Sequence, residues 1–154
     1  MGDKHDKKKR LPTLSSPPPT AGRHPVATED PNAYQRQTPV WCFRDLDVRG
    51  SPWAWEESDA KLLIKALERL KGLARSTWMQ IEQDPGRKSN GAIEIDKLDG
   101  DAKKRIQALN LGQFDPFYHL RVESRVRVWG YRVGRVLHVV WLDPKHTVYP
   151  TLAE

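Results

Sequence analysis

The chain has 154 residues, 30% of them charged and 38% apolar, with a mean hydropathy of -0.72, which is enough for one domain with its own core. No apolar run reaches the roughly 20 residues of a membrane span, and the basic N-terminus runs into L-P-T-L-S-S-P-P-P instead of a signal-peptide core, which predicts a cytoplasmic protein without membrane contact. Cys42 is the only cysteine, excluding an internal disulfide and a cysteine-based zinc cluster, and the net charge of +6 suits nucleic acid or acidic partners as well as plain solubility.

Residues 1–39 hold seven of the twelve prolines and a K-K-K-R run, with almost no periodic apolar content. Such a segment buries too little surface to offset chain entropy, so it is expected to be a disordered basic tail, with residues 40–154 forming a single domain. V-W-C-F-R-D-L-D-V, from Val40 to Val48, has the composition of a strand. Ser51-Pro52 resembles a helix cap, and Leu63, Ala66, Leu67, Leu70 and Leu73 keep helical spacing over Trp53 to about Leu73. Thr77 and Gln80 match a capping box for a short helical turn that Asp84-Pro85-Gly86 would end. A-I-E-I-D-K-L is a brief extended piece after the R-K-S-N-G loop. Asp99 caps a second helix with Ala102, Ile106 and Leu109 in one stripe, and Asn110-Leu111-Gly112 stops it.

The final third alternates apolar and basic residues in the period of β-strands. Tyr118, Leu120 and Val122 alternate with His119, Arg121 and Glu123. Val126 and Val128 alternate with Arg125, Arg127 and Trp129, and Gly134 turns the chain into a strand apolar on nearly every residue from Val136 to Leu142. The last of these is expected to be a central strand covered on both sides. The fold class is therefore α+β, an antiparallel sheet packed by two helices on one side.

On the polar side, His119 and Arg121 fall together on one strand and Arg125 and Arg127 on the next, while Lys145, His146 and Tyr149 follow the third. Arginines neutralise phosphoryl oxygens, a histidine moves a proton near neutral pH, and a tyrosine stacks on a base or donates a hydrogen bond. Arg125, Trp129 and Arg132 are further candidates for contacting nucleic acid. The competing readings are solubilising arginines, Trp129 as core, His138 as a satisfied core histidine and Asp96, Asp99 and Asp101 as helix caps instead of a metal loop.

Y-H-L-R from Tyr118 to Arg121, Val126-Arg127, and the apolar strand running into Lys145-His146 and Val148-Tyr149 together resemble the motifs of the RelE/ParE toxin superfamily. The resemblance covers about a third of the folded part. It departs from the pattern where His119 replaces the more usual lysine and where Asp143-Pro144 interrupts the approach to the basic pair. The resemblance implies a twisted antiparallel sheet packed by two main helices and a toxin-type endoribonuclease acting on ribosome-bound, translated mRNA, without metal or small-molecule cofactor. It implies an antitoxin-like protein partner. It gives His119 and Arg121 to phosphate binding or proton transfer, Arg127 to transition-state charge, Lys145 or His146 to the leaving group, and Tyr149 to orienting the nucleotide. The alternative is a non-catalytic module that binds nucleic acid or protein through the same face.

Overall fold

The computed structural model describes residues 30–83 and 90–150. The first strand, β1 (Val40–Cys42), is followed by α1 (Ala60–Leu73), α2 (Trp78–Gln83), β2 (Gly91–Ile93), α3 (Gly100–Ala108), and the meander β3 (Phe117–Glu123), β4 (Val126–Val133) and β5 (Val136–Asp143). These strands form one sheet in the order β1-β5-β4-β3-β2. The architecture is α+β, as the sequence implies, but the sheet is mixed: β1 runs parallel to β5, while the other neighbours are antiparallel. Short turns fix the direction of the hairpins β3–β4 and β4–β5. No such constraint ties β1 to β5, which are far apart in sequence, so their relative direction is not legible in the pattern.

The helices also divide between two faces instead of sharing one. Ala66, Leu70 and Leu73 of α1 and Trp78 and Ile81 of α2 pack with Tyr118, Leu120, Val126, Val128, Leu137, Val139 and Leu142 on what we term the first face. On the second face, Ala102 and Ile106 of α3 pack with Phe117, Trp129, Tyr131, Val140, Trp141 and Val148. β5 is thereby covered on both sides, which explains its unbroken apolar run.

Local signals set several boundaries. Thr77 and Gln80 form the capping box reciprocally, the Thr77 N–H donating to Gln80 Oε1 at 2.9 Å and the Gln80 N–H to Thr77 Oγ1 at 3.2 Å. Asp99 caps α3 by accepting from the Asp101 N–H, and Asn110 takes the left-handed conformation at its end (φ 57°). The Asp84-Pro85-Gly86 stop and most of the R-K-S-N-G loop lie outside the described residues. So do residues 1–29 of the expected tail.

Further expectations change. The folded chain includes residues assigned to the tail: a 3-10 turn, Ala33–Arg36, sets Tyr34 against the first-face core, and the Trp78 N–H donates to the Gln37 carbonyl at 3.0 Å. The first strand stops at Cys42, because Asp45 and Asp47 leave the ladder to meet Tyr131 and Arg105. Finally, α1 starts at Ala60 with Asp59 as its cap, its side chain accepting from the Leu62 N–H at 2.8 Å, while the Ser51 hydroxyl donates to Asp47. Trp53 and Trp55 precede α1, the first packing on the second face and the second, which opens a 3-10 turn over Trp55–Glu57, on the first face, so they anchor a crossing segment instead of α1. Leu67, placed in the apolar stripe, is 52% exposed.

Gly130 permits the tightest approach in the sheet. β4 and β5 slip register beside it, leaving Val140 as an extra residue on β5, and a Cβ on Gly130 would lie 2.0 Å from the His138 carbonyl oxygen. The extra residue's carbonyl is used: it accepts from the Asp47 N–H at 2.9 Å and from the Trp55 indole at 3.2 Å.

Candidate functional site

The second face carries a cluster of basic side chains where β3, β4 and the turn after β5 meet. Register pairs His119 with Trp129, Arg121 with Arg127, and Arg127 with Asp143, which puts these side chains side by side on one face. His119 and Arg127 are each only 7% exposed. The His119 ring stacks on Trp129 with centroids 4.7 Å apart. Arg127 donates through one guanidinium nitrogen to the carbonyls of Ser124 at 2.7 Å and Val126 at 3.1 Å. Its Nε, and His119 Nδ1, are buried without a hydrogen-bond partner.

The electrostatics follow from this crowding. Burial, then the Arg127 charge and His146, push the His119 imidazole down to about 3, so it is neutral at physiological pH. Burial and Arg127 also lower His146, with Arg125 acting in the same direction and Asp143 opposing. Arg127 is itself held below its ordinary value by burial and by Arg121, again with Asp143 opposing. The site therefore combines a buried guanidinium with two imidazoles kept in their proton-accepting form.

Of the residues singled out in the sequence, the structure brings together His119, Arg121, Arg127 and His146, with Arg125 exposed at the rim. Others lie elsewhere or serve differently. Trp129 is fully buried beneath His119, so it has no open face for a nucleobase. Arg132 points to the first face, its guanidinium 3.4 Å from the centre of the Tyr34 ring and donating to the Gly134 carbonyl at 2.7 Å. Lys145 is exposed, and Tyr149 is half-buried against the second-face core. His138 is not the satisfied core histidine its setting suggested. It stacks on Tyr131 at 4.5 Å, and its buried Nδ1 has no hydrogen bond but lies 4.0 Å from an Asp45 carboxylate oxygen.

Two carboxylates matter that the sequence pattern undervalued. Asp143, read as an interruption, is fully buried and accepts from the N–H groups of Lys145 at 3.3 Å, Thr147 at 3.1 Å and Val148 at 2.9 Å. An Asp followed by Pro and then Thr four residues on is an Asx-turn signal that could have identified it. Asp47 accepts two bonds from Arg105, at 2.8 and 3.0 Å, and one each from the Trp141 indole and the Ser51 hydroxyl. Burial alone would raise Asp47, but those donors, Arg105 foremost, hold it below the ordinary carboxylate value.

No family model, no curated protein and no solved structure matches this chain. Among the described residues, no helix is long and apolar enough to cross a membrane.

Proposed function

We propose that this protein is a RelE/ParE-like, toxin-type endoribonuclease that cleaves mRNA without a metal, through His119, Arg121, Arg127 and His146. The observation that carries the reading is the gathering of Arg127, Arg121 and His119 on neighbouring strands of one face, where Arg127 Nε and His119 Nδ1 are two of the six buried side-chain atoms left without a hydrogen-bond partner among the described residues. Buried polar atoms are nearly always bonded, and leaving one unmade costs about 1–3 kcal/mol. A phosphodiester oxygen would offset that cost once side-chain movement opens the two atoms, which are closed to solvent in this structure. A module that only bound RNA would gain nothing from a buried neutral imidazole, His119, beside a guanidinium and a half-buried second imidazole, His146, whereas general acid–base cleavage uses one as base and the other as acid.

In the reaction, one neutral imidazole, His119, takes the proton of the ribose 2′-hydroxyl as its oxygen forms a bond to phosphorus. Arg127 and Arg121 neutralise the charge that grows on the non-bridging oxygens. Phosphate charge beside His146 favours its imidazolium, which gives its proton to the departing 5′-oxygen as the P–O bond breaks. The products are a 2′,3′-cyclic phosphate and a 5′-hydroxyl. The half-buried Tyr149 and exposed Lys145 have no assigned step. An antitoxin-like partner that covers this face belongs to the same proposal.

The test is cleavage of a translated mRNA in a reconstituted system and of single-stranded RNA with chelator present, with end chemistry determined. Arg127→Met and His146→Ala are each expected to lower cleavage by about 100-fold or more. Unchanged cleavage in both variants would remove the site assignment. RNA binding with no cleavage by the unaltered protein would make it a binding module instead.

A further inference from the structure

We infer that Asp143 is a positioning residue of the anion site: its carboxylate clasps the backbone of residues 145–148 and so holds the His146 imidazole beside Arg127. The inference rests on the anion-binding reading of that cluster and extends it to a residue that touches no substrate.

Asp143 ends β5 directly across from Arg127. One carboxylate oxygen accepts from the Lys145 and Thr147 N–H groups and, at 3.4 Å, from the Thr147 hydroxyl, and the other accepts from the Val148 N–H at 2.9 Å. These donors lie on both sides of His146. His146 itself sits in the left-handed region (φ 60°), which costs a side chain other than glycine about 1 kcal/mol or more and persists only where neighbouring bonds fix it. The clasp is anchored to the second-face core, because the Trp53 indole donates to Thr147 Oγ1 at 2.8 Å and the Asp99 N–H to the Val148 carbonyl at 2.8 Å. A bare carboxylate this near Arg127 would repel an incoming anion, but here four donors occupy its oxygens.

The sign of one substitution separates positioning from simple electrostatics. Asp143→Asn removes a negative charge beside the site, so by Coulomb interaction alone it would tighten anion binding. Loss of the clasp would loosen it. The experiment is titration of the full chain with inorganic phosphate, followed by histidine side-chain NMR. In the unaltered protein, phosphate is expected to shift both His119 and His146 resonances. In Asp143→Asn, affinity is expected to fall about tenfold, with the His146 response lost and the His119 response kept. Equal or tighter binding would overturn the inference.

His146→Ala leaves every clasp bond in place and is expected to weaken phosphate about tenfold; unchanged affinity would also overturn it. Asp143→Asn combined with His146→Ala should be no weaker than His146→Ala alone, because one acts through the other, and additive losses would contradict that. Should Asp143→Asn fail to fold, Thr147→Val removes one bond of the clasp and is expected to weaken phosphate about threefold with the same selective loss at His146, an unchanged His146 response again overturning the inference. Absence of RNA cleavage with these phosphate results intact would sink the ribonuclease reading and leave the clasp standing. No response of either histidine to phosphate would sink the clasp.

Discussion

Each face of the sheet buries an apolar cluster, but the two differ in the polar groups they bury. On the first face most polar groups sit at the rim and are partnered, as where the Tyr118 hydroxyl donates to Glu82 at 2.9 Å and the Trp41 indole to the Leu70 carbonyl at 3.1 Å, with Arg132 Nε an exception. The second face holds all four buried polar or charged side chains among the described residues: Asp47, His119, Arg127 and Asp143. Asp47 and Asp143 have their oxygens occupied by donors, whereas His119 and Arg127 each keep a buried nitrogen unbonded. Burying a charge is tolerable when it is bonded, and charged and titratable groups left part-bonded on one face are candidates for holding a ligand. The contrast thus separates side chains that hold the fold from side chains the fold holds ready.

Substitutions on either side of this divide should behave differently. Leu120→Ala, in the middle of the first face and without exposed surface, is expected to lose about 3–4 kcal/mol in urea unfolding and to leave the phosphate response of His119 and His146 intact once folded. A change in that response would mean the faces are coupled through the sheet. Asp47→Ala strands the Arg105 guanidinium and the Trp141 indole, and the expected loss is about 3 kcal/mol, limited because Arg105 still reaches solvent. If Asp47→Ala cost less than about 1 kcal/mol, the bonded charges of the second face would not be structural in the sense argued here.

The acid dependence tests the unbonded half of the divide. The folded His119 titrates near 3 against an ordinary value of 6.5, so between those values the unfolded chain binds a proton that the folded chain refuses. Stability therefore falls as pH drops through that window, by about 2 kcal/mol from His119 on going from about pH 7 to about pH 5. His146 and His138, lowered chiefly by burial, act in the same direction. In His119→Gln the loss between the two pH values should shrink by about 2 kcal/mol; equal losses in both proteins would mean that His119 is not held neutral.

The same divide explains what could be read from the sequence. Capping and periodicity are local, so the Thr77–Gln80 box, the Asp99 cap and the three strands of the meander were legible with nearly their observed bounds. Alternation also put His119, Arg121 and Arg127 on one face. It could not say that α3 and residues 145–148 cover that face, because alternation specifies sides without saying what lies over them. Burial removes Trp129 as a stacking platform, and Arg132, five residues beyond Arg127, falls on the opposite face by the same alternation. Asp143 is legible only through its local Asp-Pro…Thr signal, since most of its partners are backbone amides.

The smallest expected effect is the one that sharpens the comparison most. Arg127→Met replaces a buried guanidinium with an apolar chain of similar length. Burial and the neighbouring Arg121 oppose the charge of Arg127, Asp143 supports it, and the carbonyls of Ser124 and Val126 lose a donor. Desolvating a charge without a bonded counter-ion costs about as much as its two hydrogen bonds to carbonyls return, so the net change in stability is expected to stay within about 1 kcal/mol, with stabilisation as permissible as loss. Cleavage and phosphate binding should nevertheless collapse. A residue whose removal leaves the fold unmoved and the anion site empty is retained for the anion. If Arg127→Met instead lost more than about 3 kcal/mol, Arg127 would belong with Asp47 among the groups that hold the second face together.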